Sequence, residues 1–241
     1  MVQRPELAAL KARLALVAGS SQAGMLPLGV LPVLPRAGLH EIEGDVAASG
    51  FAAALAGLLA GGCGFVLWCT PFTALHEAGG LYGAGLAACG LDPARLIVAS
   101  PRHTRDALWT MEEALRSGIF AAVIGEIEML PSIAARRLQL AAEAHATAAL
   151  VLLPPRAPGT SVGMTRWRAT SALGGAWHIE LARCRGGASG TWLVEWNHAT
   201  HRFDLVAVFG ERLGAPASSG LDWPARGANC RAGETPVRRR A

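Results

Sequence analysis

Gly44, Ser49, Gly50 and Phe51 stand where a phosphate-binding loop would place its working residues. Such a loop reads G-x-x-x-x-G-K-[ST], because backbone N–H groups cradle the phosphates, the Lys reaches the β- and γ-phosphates, and the hydroxyl holds Mg²⁺. Gly44 matches the first glycine, but Ser49, Gly50 and Phe51 replace the final Gly-Lys-Thr. The sequence therefore predicts a loop scaffold without the charge that would bind a nucleotide.

No other residue near this loop supplies the missing chemistry. Between Arg36 and Arg95 the sequence contains no Lys or Arg, so no local cation can replace the loop lysine. Two adjacent His-Glu pairs, at 40–41 and 76–77, lack the spaced partners that a zinc site needs. We therefore expect no catalytic residue, no metal and no bound cofactor, and we predict that the chain is not an ATPase.

Alternating strands and helices are predicted to hold this region in place. Strands are predicted at 39–43, 65–69, 96–99, 121–125 and 148–153, and helices at 50–60, 81–89, 106–117 and from Ser132 onward. Strand, helix, strand in this order indicates an α/β fold with a mainly parallel sheet flanked by helices. After Pro155 the apolar pattern changes to alternation, which predicts a C-terminal antiparallel meander at the sheet edge.

Breaks in this pattern divide the chain into four segments. Residues 1–20 are predicted to form an amphipathic helix, an N-terminal arm, because four apolar residues lie at helical spacing: Leu7, Leu10, Leu14 and Val17. Residues 21–38 contain Ser, Gly and three prolines and are predicted to be a linker. Residues 39–209 form the predicted core. The stretch 210–241 has no periodicity and is predicted to be a disordered basic tail.

The composition fits one folded core better than two. The chain has 241 residues, of which 51% are hydrophobic and 17% charged, so it is too apolar for a disordered protein. Its net charge of +4 arises from 22 Lys and Arg against 18 Asp and Glu, and Lys11 is the only lysine. This small excess gives modest support to a nucleic-acid partner.

A membrane span and a secreted protein are both disfavoured. The stretch 46–76 contains no charged residue, but Gly61, Gly62 and Gly64 divide it into a helix-like and a strand-like half. That division favours a buried helix followed by a buried strand. Five cysteines without a C-x-x-C pair, together with a start that lacks a signal peptide, predict reduced thiols and a cytoplasmic location.

Four sequence blocks carry a resemblance to a known family. They are LHEIEG at 39–44, LDPAR at 91–95, WTMEEALRSG at 109–118 and RRLQLA at 136–141. Together with the order of elements, they resemble the ImuA family, RecA-like proteins with a degenerate phosphate-binding loop, over about residues 39–209. The resemblance implies a RecA-like core with Gly125 in place of the Mg²⁺-associated carboxylate and Glu126 one step late. It also places Thr70 where a Glu would polarise water.

The resemblance implies a non-catalytic accessory protein in SOS-induced, error-prone translesion DNA synthesis. Its implied partners are an ImuB-like polymerase homologue and RecA, with DNA contacted directly or through them, and a homo-oligomer is a further option. The apolar stripe in residues 1–20 is our candidate docking element, and its alternative is packing on its own core. An alternative function is that of a SulA-like inhibitor of cell division, which would bind FtsZ.

Four residues after the parallel strands are candidates for nucleic-acid contact. Arg156, Arg166 and Arg168 are candidate phosphate contacts, and their alternative is a solvated sheet edge. Trp167 lies between two arginines, an arrangement suited to stacking on single-stranded bases. The other tryptophans of the alternating strands, Trp177, Trp192 and Trp196, are expected in the core.

Overall fold

The computed structural model of the chain describes residues 24–157, 162–185 and 189–209. The predicted helix of residues 1–20, with its candidate docking residues Leu7, Leu10, Leu14 and Val17, lies outside this part, as does the predicted tail at 210–241. Within the described residues, no helix combines the length and the apolarity that crossing a membrane requires.

Three strands open the described chain, helices then separate the strands as far as residue 153, and the α-helices end there. The strands are β1 (Met25–Leu28), β2 (Leu31–Pro35), β3 (Gly38–Gly44), β4 (Phe65–Cys69), β5 (Leu96–Ala99), β6 (Phe120–Glu126), β7 (Ala148–Leu153), β8 (Thr165–Ser171), β9 (Trp177–Cys184), β10 (Gly190–Asn197) and β11 (Arg202–Phe209). The helices are α1 (Val46–Ala60), α2 (Phe72–Ala78), α3 (Gly83–Ala88), α4 (Thr104–Ser117) and α5 (Ser132–Ala144).

Nine of the strands form one sheet, in the order β11-β10-β9-β8-β3-β7-β6-β4-β5. From β8 to β5 all neighbours pair in parallel, whereas β8, β9, β10 and β11 pair antiparallel with one another. The predicted mixed α/β fold, with its parallel sheet and C-terminal meander, is therefore confirmed. The carboxyl ends of the parallel strands meet at one edge of the sheet, which is where ligands bind in folds of this type.

Two apolar layers cover the two faces of the sheet. One layer contains α1 residues such as Phe51 and Leu55, and the other contains α4 and α5 residues such as Met111 and Leu138. All six residues of β7 are buried, with Leu150 and its alternate neighbours in the α1 layer and the others in the α4–α5 layer. Burial on both faces explains why strands such as β4 and β7 are continuously apolar in sequence.

The segment predicted as a linker contains an antiparallel β1–β2 hairpin. Four leucines bury this hairpin in the α1 layer: Leu26, Leu28, Leu31 and Leu34. Gly29 makes the turn with φ of +72°. Three prolines misled the sequence prediction, but each strand of a two-stranded sheet has one free edge at which a missing N–H costs nothing.

The cysteines only partly match the expected reduced thiols. Cys69, Cys89 and Cys184 are free, as predicted, whereas Cys63 is disulfide-bonded and departs from the prediction. Burial is the main cause that raises the pKa of the Cys69 thiol, to about 11, and the charge of Glu126 adds to it.

His40 is a fully buried polar residue in the central strand β3. Its Nδ1 lies 2.8 Å from the Thr165 hydroxyl of β8, which also accepts a 2.8 Å hydrogen bond from the Trp167 indole. Burial lowers the pKa of His40 to about 4. The imidazole is therefore neutral near pH 7 and links β3 to β8 without carrying charge.

We expect the free energy of unfolding to fall as the pH drops from about 7 towards 4.5, because unfolded His40 gains a proton near its ordinary pKa of 6.5 and folded His40 does not. Above pH 6.5 the contribution of neutral His40 to the free energy of unfolding is complete. As the pH falls below 6.5 this contribution is lost, with a slope approaching about 1.4 kcal/mol per pH unit. Urea denaturation across this range measures the slope. His40→Gln should flatten it, whereas His198→Gln, which removes an exposed ring, should not; equal slopes in all three proteins would contradict the assignment.

Candidate functional site

The junction between β3 and α1 is much shorter than a phosphate-binding loop. Gly44 ends β3, Asp45 is the helix N-cap, and α1 begins at Val46. The expected loop scaffold is therefore wrong, since Ser49 and its two successors lie in the first turns of a helix. The sequence prediction started this helix at Gly50 because it reserved the preceding residues for a loop.

The Asp45 carboxylate occupies the helix terminus where a bound phosphate would otherwise lie. Its Oδ1 accepts a hydrogen bond from the Ala47 N–H at 2.8 Å, and its two oxygens accept from the Ser171 N–H at 3.1 and 3.0 Å. The Ser171 hydroxyl lies 3.1 Å from Oδ1. Desolvation raises the pKa of Asp45, but hydrogen bonds from Ser171 and Ala47 outweigh it, so the net pKa lies below its ordinary value.

The residues at the lysine and threonine positions of the loop pattern serve packing. A Cβ at Gly50 would lie 3.0 Å from the Trp177 ring, so a lysine there has no room without displacing that indole. Phe51 is fully buried, and its ring centroid is 5.5 Å from those of Trp167 and Phe203. These two positions are thus part of the contact between α1 and the meander.

A shallow cleft of about 300 Å³ lies beside this junction, at the carboxyl edge of the parallel strands. Three carboxylates contribute to its lining, from Asp45, Glu126 and Glu128, and the other lining residues are uncharged. A triphosphate in this cleft would meet negative charge and find no basic side chain among the lining residues. The electrostatics of the cleft are therefore opposite to those of a nucleotide site.

Glu126, at the end of β6, is held by two protein donors. Its Oε1 accepts a hydrogen bond from the Trp68 indole at 2.7 Å, and its Oε2 accepts one from the Thr70 hydroxyl at 2.9 Å. Thr70, at the position that the resemblance links to water activation, therefore contacts Glu126, which lies one residue after the position linked to Mg²⁺. In the described part of the chain, no group of three or more His, Cys, Asp or Glu residues is arranged to hold a metal ion.

Arg166 and Arg168 of β8 form ion pairs with buried carboxylates of β3. Arg166 lies 3.5 Å from Glu41 and 2.9 Å from Glu43, and Arg168 lies 2.7 Å from Glu43 and 2.6 Å from Glu180. Desolvation raises the pKa of Glu43, but hydrogen bonds from the two arginines outweigh it and hold the net pKa below its ordinary value. Both guanidinium groups therefore stabilise the sheet, which leaves them poorly suited to bind phosphate.

Trp167 is wrong as a candidate for base stacking. The side chain is fully buried, and its indole N–H donates to Thr165 at 2.8 Å, so neither ring face is accessible to a nucleotide. The prediction missed β8, in which buried Thr165, Trp167 and Ala169 alternate with the two arginines. Arg156, the remaining candidate, lies exposed in a turn with φ of +60°.

The core prediction is confirmed for Trp192 and Trp196, which are buried, while Trp177 is half-buried.

Asp45 is the residue that sequence analysis missed. An Asp that directly precedes an apolar helical run is a common N-cap, and that signal was present in the sequence.

Together these features define a mixed α/β protein whose parallel sheet ends at an acidic cleft and a capped helix instead of a phosphate-binding loop. No family model matches the chain. Two curated proteins named Protein ImuA, from the Caulobacter vibrioides strains NA1000 / CB15N and ATCC 19089 / CIP 103742 / CB 15, are each 31% identical over 226 residues, covering 84% of this chain and 90% of the relative. The chain belongs to the ImuA family.

Among solved structures, the crystal structure of SulA from Pseudomonas aeruginosa is similar to part of the chain. It is 20% identical, covers 48% of this chain and 97% of SulA, and superposes with a TM-score of 0.40.

Trp167→Ala should lower the free energy of unfolding by about 3–5 kcal/mol, because it removes a large buried ring from between α1 and the sheet. Urea denaturation measures the loss. Trp109→Ala is the matched control, since that indole is 61% exposed, and it should change stability by less than about 1 kcal/mol. Similar losses in the two variants would show that Trp167 is not a core residue.

Proposed function

We propose that this protein is a non-catalytic accessory protein in damage-induced, error-prone translesion DNA synthesis. Membership of the ImuA family, which the sequence resemblance links to inducible mutagenesis, supports the process. The observation that carries the non-catalytic part is the Asp45 carboxylate at the start of α1, where a nucleotide-binding relative would hold phosphate.

The acidic cleft opposes phosphoryl transfer for a physical reason. That reaction needs cations that position the phosphates and neutralise the charge that develops on them. Here the loop lysine is replaced by Gly50, which packs under Trp177. The nearest carboxylate of β6, Glu126, already accepts hydrogen bonds from Trp68 and Thr70. Neither the electrostatic nor the positioning requirement is met by the described residues of the cleft.

The proposed role is that of an adaptor. Its proposed partners are an ImuB-like polymerase homologue and RecA, in the cytoplasm, and the apolar stripe of residues 1–20 remains the candidate contact. Because Arg166 and Arg168 are occupied by Glu41, Glu43 and Glu180, we propose that DNA association occurs mainly through these partners. The proposal also includes self-association of the adaptor.

Mg²⁺-ATP should neither raise the melting temperature of the purified chain nor be hydrolysed by it. Differential scanning fluorimetry and phosphate release measure the two properties. Asp45→Ala removes one carboxylate without supplying a cation, so it should acquire neither binding nor hydrolysis. A saturable increase in melting temperature with ATP, in either protein, would contradict the proposed absence of a nucleotide site.

Loss of the gene should lower the damage-induced mutation frequency several-fold, and the full chain should restore it. A chain lacking residues 1–20 should not, because the candidate docking stripe is gone. Two full-length variants test the stripe more sharply. The double substitution Leu10→Asp and Leu14→Asp breaks the stripe and should fail to restore mutagenesis, whereas Lys11→Ala lies outside the stripe and should restore it.

Three outcomes of this complementation experiment separate the interpretations. Full restoration by the shortened chain would eliminate residues 1–20 as the contact but keep the mutagenesis role. An unchanged mutation frequency after gene loss would contradict that role. If overexpression then produced filamentous cells, the division-inhibitor alternative would gain the support.

A further inference from the structure

A groove of about 680 Å³ lies between α4 and α5, on the face of the sheet opposite α1. We call it the α4–α5 groove. Its apolar floor is formed by residues of both helices and of the segment before α5: Leu108, Trp109, Met129, Ile133, Ala134 and Leu138.

Three large apolar side chains of this floor are exposed to solvent. Trp109 is 61% exposed, Met129 59% and Ile133 75%. α4 already packs on the sheet through a different stripe that includes Met111 and Leu115, so packing of the described fold does not require the tryptophan. A cluster of exposed large apolar side chains marks a surface that binds another molecule.

The end of the groove at the start of both helices is acidic. α4 and α5 each follow a parallel strand, so both begin at the carboxyl edge of the sheet. Asp106 of the first turn of α4 and Glu128 before α5 line this end. Arg105 partly offsets Asp106, at 3.6 Å, while Glu128 has no ion-pair partner among the described residues.

The other end of the groove is basic. Glu112, which is only 4% exposed, forms ion pairs with Arg116 at 2.5 Å and with Arg137 at 2.6 Å. Arg116 also lies 3.4 Å from Glu113, so three guanidinium groups, counting the exposed Arg136, stand against two carboxylates and leave one positive charge in excess. Of these arginines, Arg137 lines the groove, and its side chain is 58% exposed. Asp106 and Glu112 are six residues apart on α4, which separates the two ends by about 9 Å.

We propose that the α4–α5 groove binds an amphipathic helix of a partner protein, one that carries a basic residue at the acidic end and an acidic residue at the basic end. The apolar ridge of such a helix would lie on Trp109, Met129 and Ile133, as in other complexes in which a helix occupies a groove. The two opposite charges fix its position along the groove. This assignment is independent of the proposed role in mutagenesis, since it rests on the groove alone.

A partner helix fits the fold better than the chain's own N-terminal segment. The described chain enters at the β1–β2 hairpin, which is buried in the α1 layer. The groove lies on the α4–α5 layer, across the sheet. A segment that precedes Met25 would have to pass around the sheet to reach the groove of the same molecule.

The probe is a fluorescein-labelled, 14-residue helical peptide with a leucine ridge and one Glu and one Lys seven positions apart. Fluorescence anisotropy with the full chain should show saturable binding. Ile133→Glu should weaken it at least tenfold, and since this position lies in the first turn of α5, a Glu there is compatible with the helix. Leu173→Glu, at a residue 98% exposed and outside the groove, is the matched control and should bind as the wild type does.

Peptides with the same ridge but two Glu or two Lys residues should bind at least fivefold more weakly. Absence of binding, equal binding by the three peptides, or unchanged binding by Ile133→Glu would overturn the proposal. The proposal would also be overturned if the wild-type chain were a dimer and Ile133→Glu converted it to a monomer, because a second copy of the chain would then cover the groove. Tighter binding by a chain lacking residues 1–20, tenfold or more, would assign the groove to its own arm.

Discussion

The structure depends on neutralising two carboxylates, Glu41 and Glu43, which the central strand β3 buries at 3% and 2% exposure. An unpaired buried carboxylate costs about 3–5 kcal/mol, so β8 must bring Arg166 and Arg168 into register with β3. That register joins the parallel half of the sheet to the antiparallel meander. It also places Ser171, the last residue of β8, against Asp45, the first residue after β3. One set of ion pairs thus fixes both the pairing of β3 with β8 and the arrangement of side chains at the carboxyl edge of the sheet.

Closing this edge shifts the surfaces available for binding to another part of the molecule. In α/β sheets the carboxyl ends of the strands normally receive the ligand. Here that edge presents acidic side chains and a helix terminus that is already capped. A cluster of exposed apolar residues lies instead on α4, on α5 and on the segment before α5. This distribution of charge and apolar area is compatible with the proposed adaptor role.

Sequence reasoning recovered the elements whose apolar pattern is continuous or regular and missed those in which prolines, arginines or a familiar motif obscure that pattern. β7 matched its predicted bounds because both faces are covered and all its residues are apolar. β8 was missed because its arginines, which point to a solvated edge in sequence, are paired only in three dimensions. Prolines hid the β1–β2 hairpin, and a familiar loop pattern hid the Asp45 cap. The α4–α5 groove could not be predicted, since Trp109 and Ile133 become neighbours only when the two helices pack.

The Asp45 cap also bears on how long an assembly of the proposed adaptor lasts. A nucleotide is taken from solution, hydrolysed and released. The lifetime of a nucleotide-bound state therefore depends on the rate of hydrolysis and on the cell's supply of nucleotide. Asp45 is covalently part of the chain, and its local concentration at the helix terminus is constant. In the proposed adaptor, the helix terminus has a single chemical state, and an assembly built on it lasts as long as its contacting surfaces take to dissociate. Disassembly would then be controlled by the partners, through competition or degradation, and not by an internal reaction.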